Sequence, residues 1–183
     1  REDAIKHLVE DGQKQENTPG TITWLTKWQA YLKAVKPDGF TVGEVQSSSA
    51  VTSLYVPEGV DTTFEFELSS AIANSVNSGT NDNVTAAQRQ LLERFEPGQY
   101  SAFLSNHDFN RIMNVFNKNV GKGKVAASIL LTQPGVPFLY YGEEIGMTGL
   151  KPDECLRVPF QWDATARTAP FMAGKNCETN EAD

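Results

Sequence analysis

The stretch "SAFLSNHDFNR", residues 101–111, rises through Phe103 and Leu104 and then ends on an amide, an imidazole and a carboxylate, Asn106, His107 and Asp108. A buried strand that finishes on polar side chains is a rigid place to present chemistry, because pairing on both sides fixes its backbone while the tip stays open. The flanking sequence repeats this pattern. Downstream, "GKVAASILLTQPG" (123–135) predicts a helix closed by Pro134 and Gly135, and "VPFLYYG" (136–142) predicts another strand. Upstream, "FTVGEV" (40–45) and the alternating "TTFEFEL" (62–68) predict two more strands, with helices expected over 69–78 and 84–95. Residues 4–10 predict a short helical turn, followed by a polar loop that Pro19 and Gly20 interrupt. Trp24, Leu25, Trp28, Leu32 and Val35 then recur at helical spacing before a Pro-Asp-Gly stop, which predicts a helix of about four turns. Strand and helix alternating, with connections long enough to hold each helix, is the pattern of parallel β/α units.

Composition narrows the function classes. The 183 residues are 39% hydrophobic and 21% charged, which suits a globular unit with a real core. A formal net charge of -7 argues against a nucleic-acid surface, which would concentrate Lys and Arg. There is no apolar run of about 18 residues to span a membrane, and the N-terminus lacks a signal-peptide layout. Any export signal is therefore expected outside this chain, and the setting is expected to be extracellular or periplasmic. Cys155 and Cys177 lack metal-ligand spacing; a disulfide in a secreted protein and two separate thiols are both open.

Three carboxylates share one kind of place. Glu44 ends "FTVGEV", Asp108 ends "SAFLSNHD", and Asp3 stands where a preceding strand would deliver it. All three are expected at C-terminal strand ends, the edge where parallel β/α architectures build sites. Asp3 and Glu44 are spaced by about one β/α unit, and Glu44 and Asp108 by about two shorter ones. The only histidines, His7 and His107, each lie near one of these carboxylates. Such a set fits two chemistries. Hard oxygen ligands favour a metal ion. Alternatively, one carboxylate attacks an anomeric carbon while another protonates the leaving oxygen. Glu44, behind Val42 and Gly43 at an apolar strand end, suits the proton donor; Asp3, flanked by Arg1 and Lys6, suits an ionised nucleophile. Spacing alone does not choose between the two.

A resemblance does. "REDAIKH" resembles the nucleophile motif of the α-amylase family of retaining glycoside hydrolases, "VGEV" its acid/base motif and "FLSNHD" its third-carboxylate motif. "GVPFLYYGEEIGMTG" and "RVPFQWD" are similar to segments after strand eight in bacterial α-amylases and oligo-1,6-glucosidases. The five segments follow the family's order. The resemblance implies Asp3 as nucleophile, Glu44 as general acid/base and Asp108 as the carboxylate that grips sugar hydroxyls. It implies Arg1 orienting the nucleophile, His107 at the sugar, Lys6 and His7 along the leaving-group side, and Asn106 and Arg111 as further sugar contacts. Glu2 and Gln46 depart from residues common in those motifs, and Gln46 bears on the sugar subsite.

The resemblance also implies a partial (β/α)8 barrel of α/β class, from the tip of strand four to the loop after strand eight. Residues 1–149 would form half of the catalytic barrel and residues 150–183 the long loop after its last strand. Such a half barrel has open edges and would need the missing half or self-association. The implied substrate is an α-1,4 glucan or maltooligosaccharide, as in starch degradation. Oligo-1,6-glucosidase or transglycosylase activity, or a catalytically silent fragment, are the alternatives. No cofactor is required for the chemistry and no metal ligand is assigned, although structural calcium is compatible with the family's full-length enzymes. Neither a nucleic acid nor a membrane is an expected partner.

Several side chains also carry structural expectations. Trp24 and Trp28 are expected on the packing face of an outer helix, and Tyr140 and Tyr141 in the core at a strand end, with Tyr141 able to reach a cleft. Glu65 and Glu67 should share one strand face. Glu143 and Glu144, being adjacent, should point apart.

Overall fold

The computed structural model describes residues 1–162 and Cys177. The chain forms two compact units. The first comprises Arg1–Leu68, Val84–Ala102 and Gln133–Pro137; the second comprises Ser69–Asn83, Phe103–Thr132 and the chain from Phe138 onward. A short helix, Asp153–Leu156, lies within the loop expected over residues 150–183.

The first unit holds a four-stranded sheet. Its strands are β1 (Val42–Gly43), β2 (Thr62–Phe64), β3 (Tyr100–Ala102) and β4 (Val136–Pro137). They lie in sequence order and every pairing is parallel, with Val42 opposite Thr62, Thr63 opposite Tyr100, and Ser101 opposite Val136. Parallel strands added in sequence order in one direction are barrel-like, since a doubly wound sheet reverses its order at a switch point. Glu2 forms a further parallel bridge with Gly43, donating from its N–H to Val42 O at 2.9 Å and accepting from Glu44 N at 2.9 Å. Asp3 therefore follows a residue in strand register beside β1.

The strands are shorter than the apolar runs suggested, for identifiable reasons. "TTFEFEL" stops being strand at Phe64, because helix α3 (Phe66–Ser78) begins two residues later. In "SAFLSNHD" the ladder ends at Ala102, and Asn106 turns the chain: its Oδ1 accepts from Asp108 N at 2.9 Å and Phe109 N at 3.0 Å. Asp108 thus lies in a loop beyond the strand and not at its tip. Glu44, by contrast, directly follows β1.

Helix α1 (Pro19–Val35) begins at Pro19, which the sequence reading had placed in the preceding loop. Proline suits a first helical position, where its missing N–H would be unpaired in any case. Thr18 caps the helix by accepting from Thr21 N at 3.1 Å and also donates to Val9 O at 2.6 Å. The packing face is Thr21, Leu25 and Gln29, and not the tryptophans. Trp24 is 48% exposed and stacks against Trp28, with ring centroids 6.5 Å apart. Gln29 Oε1 accepts from Thr41 Oγ1 at 3.2 Å. Asp61 joins the same corner, accepting from Thr41 N at 2.8 Å and pairing with Lys33 at 2.8 Å. Burial works against the Asp61 charge, yet the bonds from Lys33 and Thr41 prevail and hold its pKa below the usual value. A short helix α2 (Ser49–Thr52) follows β1, and α4 (Asp82–Leu92) precedes β3.

The first unit buries Ile5, Leu25, Val42, Val45, Tyr55, Leu68, Leu91, Phe95 and Tyr100. Gly43 is required beside Glu44, because a Cβ there would collide with the Ile5 side chain. In the second unit, α5 (Ile112–Val115), α6 (Val120–Thr132) and α7 (Asp153–Leu156) accompany a core containing Ile72, Phe103, Phe116, Leu130, Met147 and Leu156. The two cysteines form a disulfide, with Cα atoms 5.1 Å apart across 22 residues of sequence. No helix among the described residues is long and apolar enough to cross a membrane.

Candidate active site

The first unit holds five of the nine expected site residues, three of them, Arg1, Asp3 and Glu44, near the end of β1. Arg1 Nη2 donates to Asp3 Oδ1 at 2.8 Å and also pairs closely with Glu44 Oε2. One guanidinium thus bridges the expected nucleophile and the expected acid/base, a geometry that favours planar multidentate contacts. The two carboxylates differ in setting: the Asp3 side chain is 72% exposed and that of Glu44 only 14%. Their backbones are tied as well, since Ile5 N donates to Glu44 O at 3.2 Å. Ala4, between them in sequence, has a left-handed backbone at φ 45°, which turns the chain away after Asp3.

Lys6 and His7 form a neighbouring polar group. Lys6 Nζ pairs with Glu16 at 2.6 Å and donates to Gln46 O at 3.2 Å. His7 Nδ1 lies 3.1 Å from Gln15 O, and its Nε2 is 3.8 Å from Glu16. The Lys6 hydrogen bond holds the Glu16 carboxyl below its ordinary pKa. Through Gln46, Lys6 is tied to the segment that carries Glu44.

The second unit holds the others. Asp108 Oδ2 is 3.4 Å from His107 Nε2, and Asp108 Oδ1 accepts from Arg157 Nη2 at 3.0 Å. Arg157 also donates from Nε to His107 O at 3.1 Å and from Nη2 to Asp153 Oδ2 at 3.4 Å. Asn106 spends its side-chain oxygen on the turn described above, so its part in the site is to shape the loop. Arg111, expected at the sugar, is instead a core residue with 0% exposure. Its guanidinium sits 4.6 Å from the ring centroids of both Tyr140 and Tyr141, and Nη1 donates to Tyr141 O at 2.6 Å. The two tyrosines therefore pack as an edge-on pair against a buried cation, with Tyr141 Oη donating to Val158 O at 2.6 Å.

Arg157 lies inside "RVPFQWD", and nothing local signals that it returns to Asp108. Glu143 is turned into the protein, bonded to Ser105 Oγ and accepting from Tyr140 N at 3.2 Å, while Glu144 is exposed. Burial pushes the Glu143 carboxyl up to about 7, with the Ser105 and Tyr140 bonds opposing. The two adjacent glutamates do point apart, as expected. Among the described residues, no group of three or more His, Cys, Asp or Glu is arranged to hold a metal ion.

Comparison with known proteins places this geometry. The chain is 40% identical over 166 residues to Alpha-amylase 3 of Dictyoglomus thermophilum, covering 88% of this chain and 32% of that protein. It is 45% identical over 67 residues to a 4-alpha-glucanotransferase of Thermotoga maritima, covering 33% of this chain and 15% of that one. The crystal structure of an alpha-amylase from H.orenii superposes with a TM-score of 0.76 at 36% identity, over 84% of this chain and 33% of the other. The chain thus spans about a third of the length of its alpha-amylase relatives. The alpha-amylase catalytic-domain family matches residues 1–182, and the chain belongs to that family, an enzyme lineage.

Proposed function

We propose that the protein cleaves α-glucosidic bonds in α-1,4 glucans and maltooligosaccharides by a retaining double displacement. The observation that carries this reading is the Arg1 guanidinium bridging Asp3 and Glu44 beside β1. An Asp3 oxygen attacks the anomeric carbon as Glu44 gives its proton to the departing glycosidic oxygen, leaving a glycosyl ester on Asp3. Glu44 then takes a proton from water, whose oxygen attacks the same carbon and releases the sugar with its configuration retained. Arg1 orients the Asp3 carboxylate for attack. Asp108, aligned by Arg157 and neighboured by His107, is assigned to the sugar hydroxyls; Lys6 and His7 are assigned to the leaving-group side. The four strands are assigned to strands five to eight of a (β/α)8 barrel and Asp3 to the tip of strand four, which the sequence-order pairing and the Glu2–Gly43 bridge support.

Transfer of the glycosyl group to another sugar, in place of water, is a second reading of the same intermediate, and the glucanotransferase relative favours it. The test is release of reducing sugar from a maltooligosaccharide and from an α-1,6-linked glucoside, beside Asp3→Asn. Turnover that Asp3→Asn abolishes supports the assignment, and longer oligosaccharides among the products select transfer. Turnover undiminished in Asp3→Asn would overturn it.

A further inference from the structure

A second pair of carboxylates meets in the first unit, outside the machinery above. Glu65 stands at the end of β2 with 1% exposure, and Glu67 lies in the first turn of α3. Both converge on one hydroxyl: Ser49 Oγ is 2.7 Å from Glu65 Oε2 and 2.8 Å from Glu67 Oε2. Glu67 Oε2 also accepts from Ser49 N at 2.7 Å. Thr52 Oγ1 bonds to Glu65 Oε1 and lies 3.3 Å from Ser49 O.

Counting protons shows what this arrangement needs. The serine hydroxyl has one proton and faces two carboxylate oxygens at full hydrogen-bond distance. Were both glutamates ionised, one of those contacts would set two acceptors against each other beside the buried Ser49 and Glu65, although Glu67 itself is exposed, and that arrangement is costly. A single added proton on Glu65 resolves it. Glu65 then donates to Ser49 Oγ, Ser49 donates to Glu67, and Thr52 donates to the other Glu65 oxygen.

We propose that Glu65 is a neutral hydrogen-bond donor and a positioning residue for Glu44: its proton closes a Glu65–Ser49–Glu67 chain that anchors α2 and so fixes the segment running from Glu44 to Ser49. This rests on the reading of Glu44 as the acid/base. The near end of that segment is held at β1 by the Glu44 N to Glu2 O bond, and its middle by Lys6 on Gln46 O. Ser49 is the far end, and Glu65 and Glu67 hold it from two further elements. The titratable groups facing Glu65 are Glu67 on α3 and Tyr100 on β3. Burial raises the Glu65 pKa, against the Thr52 and Ser49 bonds, and the Glu67 charge raises it further, all consistent with the proton count. Loss of that proton as pH rises frees α2 and moves Glu44.

The test joins infrared spectroscopy to kinetics on wild type, Glu65→Gln and Glu65→Ala. Protonated-carboxyl intensity is expected to fall from wild type to Glu65→Gln in the difference spectrum, Glu44 and Glu143 contributing alike to both, and the component assigned to Glu65 should be lost as pH rises. Glu65→Gln, whose amide reproduces the donor and acceptor, keeps near wild-type kcat, with only the alkaline limb that Glu44 sets. Glu65→Ala loses roughly 10- to 100-fold in kcat with little change in KM. If Glu65→Ala does not fold, Ser49→Ala deletes the central oxygen and carries the same expectation. No loss of protonated-carboxyl intensity from wild type to Glu65→Gln, or a Glu65→Gln enzyme as impaired as Glu65→Ala, would overturn the proposal. The Glu65 component present without α-glucosidic turnover in any variant would overturn the role of Glu44, and the positioning role with it, while the shared proton stands.

Discussion

Asp3 and Asp108 are each held by an arginine, but the arginines come from opposite ends of the contact range. Arg1 lies two residues from Asp3 and carries Glu44 with it; Arg157 returns to Asp108 across 49 residues of chain. The first clamp is written into one short motif and one strand pairing. The second exists only because α7 is pinned, by the Cys155–Cys177 disulfide and by the buried side chains of Cys155 and Leu156. A local clamp survives as long as its strand register does, whereas a long-range clamp depends on everything that holds the loop between.

The largest expected effect tests the local clamp. Arg1→Ala removes the donor shared by Asp3 and Glu44 and should lower kcat/KM by roughly 100- to 1,000-fold, the scale for losing one preorganised donor in an active site. A loss no greater than that of Arg157→Ala would end the distinction. Next comes the tether. Cys177→Ser opens a 22-residue closure and should lower unfolding free energy by about 3 kcal/mol in denaturant titration. The same change should weaken Asp108-dependent turnover while leaving the Arg1 contacts in place.

A third test uses pH. The Glu143 carboxyl titrates near 7 in the folded chain against an ordinary 4.5, so between those values the folded state binds more protons. Stability should be full below about pH 4.5, fall as pH rises and level off above about 7, by on the order of 3 kcal/mol. Glu143→Gln should abolish that slope; because Glu143 bonds Ser105, just before Asn106, the slope reports on the Asp108 loop. The smallest effect is Arg157→Ala, expected to cost about tenfold in kcat/KM, since a half-exposed ion pair is well screened. Steady-state kinetics at two salt concentrations would show the loss shrinking at high salt.

Much of this was legible in the sequence, and unevenly so. The parallel β/α order followed from alternating apolar runs and Pro/Gly stops, and the placement of Asp3 and Glu44 followed from strand ends. The strand lengths did not: "TTFEFEL" alternates like a strand for seven residues, yet Phe66 starts a helix, with Glu65 and Glu67 both bonded to Ser49. Side-chain competition shortened "SAFLSNHD", where an asparagine side chain took the backbone donors that a ladder would have used. Arg111 was implied as a sugar contact by the family resemblance alone, and no local sequence signal showed that two tyrosines from 29 and 30 residues downstream would pack against it. The tryptophan stripe of α1 had helical spacing without burial, since Gln29 and Thr21 could satisfy their polar groups inside and took the inner face.

What the sequence by itself determined is everything governed by short spacing: the strand and helix order, the motifs, and the adjacency of Arg1 to Asp3. Those features depend on backbone periodicity and on side chains a few residues apart, which any chain with this sequence would present. Only the tertiary structure decided which arginine serves Asp108, which glutamates share a proton, and which cysteines are joined. Such pairings are chosen by burial. A charge or hydroxyl withdrawn from water must find a partner, and the fold, not the local sequence, sets which partner is within reach.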